Sequence, residues 1–266
     1  MTVTEKYEDL RKIIAGYGPM LVAYSGGVDS TLLAAVAREV LGEKTRCVLL
    51  ESPVVPRAAA AQAQEIARGL GLGLDSIAVP LMKHAEFCKN PADRCYHCKK
   101  ISAVHLKQRA AELGFACIAD GTNVSDTGEH RPGLRASTEE GIVHPFIEAR
   151  ITKEDIRDIA RMLNLPVWQK PSAACLASRI PYGDAITASK LQRIEDAEAY
   201  LADLGIGQLR VRLHGNLARI EVHKGDAGKI LEQQSAVVRH LKSLGFAYVT
   251  LDLEGYRSGS MDEVLK

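Results

Sequence analysis

Short apolar runs alternate with longer segments of helical period along the N-terminal part of the chain. Leu21–Tyr24, Thr45–Leu50, Ser76–Val79 and Ala116–Ala119 are brief and apolar, the pattern of buried strands. Tyr7–Ala15 predicts a helix leading into the first of them. Thr31–Leu41, Arg57–Leu70 with Gly71 as its stop, and Lys100–Leu113 predict helices between or beside the strands. This alternation predicts an α/β fold with a doubly wound parallel sheet. Ligands of such sheets gather at the carboxyl ends of the strands.

A further helix is predicted over Thr152–Leu163, with Thr152 as cap and Asp155 three residues on, close to a capping box. Pro166, Pro171 and Pro181-Tyr182-Gly183 then interrupt the chain, and a domain boundary is expected near residue 185. Beyond it the pattern changes. A helix over Leu191–Leu204, stopped by Gly205, precedes two alternating runs, Gln208–Leu213 and Leu217–Val222. His214-Gly215-Asn216 joins them as a β-hairpin. A helix at Ala236–Leu244 and a strand at Tyr248–Leu253 complete a small α+β unit over 186–266. It is too short for a large core of its own, so it is expected to pack on the first domain or on another subunit of a homo-oligomer.

Composition narrows the class. With 34 basic and 33 acidic residues the formal charge is +1, which gives no electrostatic footprint for nucleic acid. No apolar run approaches the ~20 residues of a membrane span. The start, Met1-Thr2-Val3-Thr4-Glu5-Lys6, lacks the apolar stretch of a signal peptide. A cytoplasmic, reducing setting is expected, where the six cysteines are expected to be reduced, catalytic or metal-bound.

The chemistry centres on Ser25-Gly26-Gly27-Val28-Asp29-Ser30, set between a predicted strand and a predicted helix. That geometry turns backbone N–H groups and a positive helix end toward an anion. Gly26 and Gly27 let a phosphate approach the backbone, and Ser25 and Ser30 add hydroxyl donors. The Gly-Lys-Ser of a Walker loop is missing. The segment resembles the PP-loop of ATP pyrophosphatases, Ser-Gly-Gly-x-Asp-Ser, which implies cleavage of ATP between the α- and β-phosphates. Asp29 is then a candidate for Mg²⁺ or pyrophosphate. Asp120-Gly121-Thr122-Asn123 emerges from the fourth strand on the same edge, so Asp120, Thr122 and Asn123 are expected around the nucleotide.

Cys95 and Cys98 form a Cys-x-x-Cys, and Cys175 stands far along in Ala174-Cys175-Leu176-Ala177-Ser178-Arg179. Zinc, iron–sulfur and dithiol chemistry share this pattern. Cys47 and Cys117 fall in strand-like runs and read as core, and Cys88 also lacks a motif setting. Arg210 and Arg212 alternate on one strand and share a face, a pair suited either to a phosphate or to a solvated surface. Glu198, on the preceding helix, is a candidate metal or substrate contact or a surface residue.

Taken together, these segments resemble the LarE family of ATP-dependent sulfur transferases over nearly the whole chain. The resemblance rests on Ser25–Ser30, Asn90–Lys99, Asp120–Asn123 with Arg131-Pro132-Gly133, Cys175–Gly183, Arg210-Val211-Arg212 and Tyr256-Arg257-Ser258-Gly259. It implies nickel-pincer nucleotide biosynthesis, for lactate racemase maturation. In that chemistry ATP adenylates carboxylates of a pyridinium dicarboxylate mononucleotide and a sulfur nucleophile converts them to thiocarboxylates. It implies that Arg210 and Arg212 hold the substrate phosphate, and that Ser178 and Arg179 line the pocket of Cys175. With Cys95, Cys98 and Cys175 all present, the chain resembles the group whose three cysteines bind a [4Fe-4S] cluster that carries sulfide. The alternatives are a sacrificial Cys175 and a PP-loop tRNA thiolation enzyme, the latter disfavoured by the balanced charge. An amidotransferase-type ligase lacks a glutaminase domain here. A zinc-stabilised nucleotide-sensing module is the non-enzymatic reading.

Overall fold

The computed structural model describes residues 2–128, 132–171, 174–257, 259–261 and 263. In chain order the elements are α1 (Val3–Tyr17), β1 (Met20–Tyr24), α2 (Val28–Leu41), β2 (Thr45–Glu51), α3 (Arg57–Gly69), β3 (Leu74–Ala78), α4 (Ala85–Cys88), α5 (Arg94–Leu113) and β4 (Cys117–Ala119). They continue with α6 (Pro132–Glu139), α7 (Pro145–Glu148), α8 (Lys153–Met162), α9 (Ala188–Asp203), β5 (Leu209–His214), β6 (Leu217–Val222), α10 (Ala227–Glu232), α11 (Gln234–Ser243) and β7 (Tyr248–Leu251). Among the described residues no helix is long and apolar enough to cross a membrane.

The chain forms two compact units. One comprises Met1–Leu81 and Asp93–Ala173, the other Met82–Ala92 and Ala174–Lys266. The sequence places a single division near 185. In the structure the second unit starts earlier and takes in a short excursion from the first half of the chain. Hydrogen bonds explain the excursion. The Asn90 amide donates to the carbonyls of Ile180, Pro181 and Asp184 at 3.2, 2.7 and 3.1 Å. Gly183 N–H and Ile186 N–H donate back to the Asn90 and Cys88 carbonyls.

In the first unit the sheet order is β3-β2-β1-β4, every neighbour parallel. β1 is apolar throughout because the sheet is covered on both faces. Leu10, Ile14, Leu32, Leu33, Val36 and Ile159 lie in the cluster on one face, and Leu21, Val48, Ala103, Leu106 and Ile118 in the cluster on the other. The expected parallel α/β layering is thus present. Two helices start earlier than the apolar period suggests. α2 begins at Val28, so Asp29 and Ser30 lie in its first turn, and α5 begins at Arg94, so Cys95 and Cys98 lie inside it.

The Thr152 capping box forms as expected. The Asp155 N–H donates to Thr152 Oγ1 at 3.3 Å, and Thr152 N–H to Asp155 Oδ2 at 2.9 Å. Thr152→Ala should cost about 1 kcal/mol, read as a lower denaturation midpoint at unchanged slope.

In the second unit α9 turns Leu191, Ile194, Ala197 and Leu201 to one buried face. β5 and β6 are antiparallel, with His214 opposite Leu217 around a turn at Gly215 and Asn216. β7 adds to β6 in parallel, after α10 and α11.

Candidate active site

The loop after β1 is closed from within. Ser25 N–H donates to Ser30 Oγ at 3.1 Å, the two hydroxyls meet at 3.0 Å, and Ser30 Oγ reaches the Gly27 carbonyl at 3.3 Å. Gly26 has φ +70°, and a Cβ there would lie 2.5 Å from Ala63 Cβ and 2.7 Å from Ala63 Cα. Both backbone conformation and space therefore demand glycine. Gly26→Ala should lose at least about 1 kcal/mol of unfolding free energy in urea.

Gly121 brings the segment after β4 onto the first turn of α2. A Cβ there would lie 2.9 Å from the Asp29 carbonyl carbon and 2.9 Å from Ser30 N. Asn123 caps the short turn after it through Ser125 N–H at 3.0 Å, and its amide points to Asp29 Oδ1 at 3.5 Å. Thr122 N–H donates to Asp120 Oδ1 at 3.1 Å. Asp120 is only 4% exposed. Burial disfavours its charge, but Lys99 Nζ at 3.3 Å and His144 Nδ1 at 2.8 Å outweigh that and hold its pKa well below the usual carboxylate range. Because the folded pKa is depressed, this stability is present above about pH 4 and fades as pH falls toward the folded value. The gap in melting temperature between the wild type and Asp120→Asn should therefore narrow in acid.

Three lysines and a histidine join the expected residues. Lys153, at the start of α8, places Nζ 2.6 and 2.5 Å from the two oxygens of Asp29. Lys170 Nζ donates to the Gly26 carbonyl at 2.9 Å. Lys99 and His144 hold Asp120. Farther along the same sheet edge, an open cleft of about 460 Å³ is lined by residues from the ends of β2 and β3 and the start of α3, among them Pro53, Val55, Ala60 and Val79.

The second unit gathers the expected residues around Cys175. Arg179, 3% exposed, donates to both oxygens of Glu198 at 2.9 and 3.0 Å, and to the carbonyls of Ala174 and Cys175 at 2.8 and 3.0 Å. Ser178 Oγ donates to the Cys175 carbonyl at 2.8 Å. Glu198 also accepts Val211 N–H at 2.9 Å. Its carboxylate is thereby spent on bracing the Cys175 turn.

Arg210 and Arg212 differ. Arg212 is buried, forked onto Glu221 at 3.0 and 2.7 Å, and bonded to the Ser178 carbonyl at 3.1 Å. Glu221, 0% exposed, also accepts from Arg219 and Ser260, each at 3.0 Å. Arg210 lies with its guanidinium 5.1 Å from the centre of the Tyr256 ring and donates to the Leu209 carbonyl at 2.6 Å. Burial, followed by the neighbouring Arg179, lowers its pKa. Among the described residues no carboxylate stands within 4.0 Å of Arg210, so of the pair it is the one left with charge to offer a ligand.

Cys95 and Cys98, three apart on α5, share a helix face near its N-terminus. Gly133 approaches the exposed Cys95, since a Cβ there would lie 3.8 Å from Cys95 Cβ. Cys175 is exposed in the second unit, and none of the six cysteines is in a disulfide. Burial pushes the Cys47 thiol up to about 12 and raises Cys88 and Cys117, which suits them to structural roles. Within neither unit do three His, Cys, Asp or Glu side chains among the described residues stand together as a metal site. Thiols are the donors an iron–sulfur group takes, so Cys95, Cys98 and Cys175 suit it in donor chemistry. Arg131 and Ser258, in two of the motifs, lie outside the described residues.

A parallel α/β sheet carrying Ser-Gly-Gly-x-Asp-Ser between its first strand and the next helix defines a PP-loop-type protein. No family model matches the chain. It is 35% identical over 265 residues to the pyridinium-3,5-bisthiocarboxylic acid mononucleotide synthase of Lactiplantibacillus plantarum, covering 99% of this chain and 94% of that one. It is 41% identical over 262 residues to an uncharacterised protein of Synechocystis, covering 98% of each chain. A protein of Methanocaldococcus jannaschii, also uncharacterised, is 34% identical over 239 residues, covering 90% and 91%. The chain belongs to the LarE family, that of the bisthiocarboxylic acid mononucleotide synthase.

Proposed function

We propose that this protein is an ATP-dependent sulfur transferase that turns the carboxylates of a pyridinium dicarboxylate mononucleotide into thiocarboxylates, in nickel-pincer nucleotide biosynthesis. The observation that carries this reading is the near full-length relation to the named synthase. The geometry supports it. The serine–glycine loop and the α2 N-terminus offer N–H and hydroxyl donors to the phosphates of ATP. The apolar cleft beyond β2 offers a surface for adenine. Asp29 would bind Mg²⁺ or steer pyrophosphate.

In the adenylation step a substrate carboxylate oxygen bonds to the α-phosphorus as the bond to the bridging oxygen breaks, and pyrophosphate leaves. A sulfur nucleophile then attacks the acyl carbon and AMP leaves. A carboxylate resists such attack and an acyl-adenylate accepts it, and binding both reactants in one site adds proximity. Cys95, Cys98 and Cys175 would hold the [4Fe-4S] cluster, which supplies the sulfur as sulfide. The Arg179–Glu198 brace sets the backbone of Cys175, and Arg210 is the candidate for the substrate phosphate.

Intact-protein mass spectrometry and iron analysis after anaerobic turnover with ATP, substrate and sulfide test the sulfur source. The expected outcome is iron in the protein, unchanged chain mass and several turnovers. A chain lighter by about one H₂S and free of iron would favour sacrifice of Cys175. Arg210→Ala should weaken substrate binding by roughly 1.5–3 kcal/mol without altering ATP binding. Equal losses for both ligands in titration calorimetry would instead mark a structural arginine.

A further inference from the structure

We propose that Lys170 is the cation that holds the departing pyrophosphate, an addition that rests on the ATP-loop reading above. The starting observation is an ammonium lacking an anion. Lys170 Nζ is half-buried against the Gly26 carbonyl at 2.9 Å, and among the described residues no carboxylate lies within 4.0 Å of it. Burial alone draws its pKa below the ordinary lysine range.

A desolvated ammonium served by one neutral acceptor is unfavourable unless something repays it. The placement is also not slack. Arg157, on α8, donates to the Trp168 and Lys170 carbonyls at 2.7 and 3.1 Å, which fixes the backbone from which Lys170 extends. The same helix starts with Lys153, whose charge is already taken by Asp29. Thus α8 and its tail bring two ammonium groups to one glycine loop. One is neutralised by the protein and the other is not. The ligand chemistry that completes Lys170 is a polyanion seated on the loop, and the pyrophosphate part of ATP is the part that a strand–glycine–helix turn accepts. Lys170 is a binding and positioning residue in this account, since it touches the leaving group and not the reacting carbonyl.

The experiment uses the full chain, with inorganic pyrophosphate, ATP and AMP as separate titrants in calorimetry and with melting curves of the ligand-free protein. Lys170→Met should weaken pyrophosphate about tenfold or more and leave AMP unchanged. Lys170→Arg should keep most of the pyrophosphate affinity. Ligand-free Lys170→Met should melt at or above the wild type, because it removes an uncompensated charge. Unchanged pyrophosphate affinity in Lys170→Met overturns the inference while leaving the ATP reading intact. So does a lower melting temperature with equal losses for AMP and pyrophosphate, the signature of a brace for the loop. A wild type that binds neither ATP nor pyrophosphate removes the ATP reading and this inference with it.

Discussion

Asp29→Ala is expected to reduce pyrophosphate formation roughly a hundredfold or more while leaving the protein folded. The two halves of that expectation have separate causes. The carboxylate sits in the first turn of α2 beside the phosphate loop, where loss of a group that orients metal and leaving group falls on the chemical step. Its partner Lys153 is about a third exposed, at 33%, and so is Asp29, at 28%. A pair that wet contributes no more than about 1 kcal/mol to folding. Chromatography of the nucleotide products and a melting curve separate the two. AMP should be the nucleotide product in the wild type and should nearly vanish in the variant. Wild-type ADP as the main product would defeat the PP-loop reading outright. A variant that loses activity only in proportion to lost fold would assign Asp29 to structure.

The loop itself is legible in the sequence because its determinants are local: an apolar strand, two glycines, a helix and hydroxyls within six residues. The parallel sheet is legible for the same reason, since strands buried on both faces show unbroken apolar runs. Lys153 and Lys170 are not. Each reaches a residue more than a hundred positions away, and in the sequence each looks like any solvated lysine beside a helix. Glu221 was hidden too: it takes the polar phase of the alternating run Leu217–Val222, and the expected three-residue loop His214-Gly215-Asn216 would set it across from Leu209, whereas the observed turn pairs it with Arg210. The early start of α5 was hidden by the polar and cysteine-rich residues 94–100, which carry no apolar period to mark a helix.

Glu221→Ala is expected to be the most damaging single change in the second unit, at about 3–5 kcal/mol. Its carboxylate is fully buried and receives two bonds from Arg212, one from Arg219 and one from Ser260. Truncation leaves the buried Arg212 guanidinium without its counter-charge. Arg212 also holds the Ser178 carbonyl, so the turn that presents Cys175 should loosen with it. Urea denaturation would give the loss, and faster alkylation of Cys175 than in the wild type would report the loosened turn. The double change Glu221→Leu with Arg212→Met should recover much of the stability, since removing both members avoids an orphaned buried charge. A double variant no more stable than Glu221→Ala would mean that the ion pair is not the source of the damage.

Residues Met82–Ala92 belong to the second unit although the chain on both sides of them belongs to the first. During translation this segment leaves the ribosome long before its partners at 180–186, so the Asn90 amide must wait for carbonyls not yet synthesised. The order of synthesis thus ties completion of the second unit to the whole chain. A fragment starting at Ala174 would lack the Asn90 amide that donates to those carbonyls. Splitting the gene at that point should leave the first unit able to fold on its own piece and the second unit incomplete until the pieces are mixed, with its recovery dependent on the concentration of both.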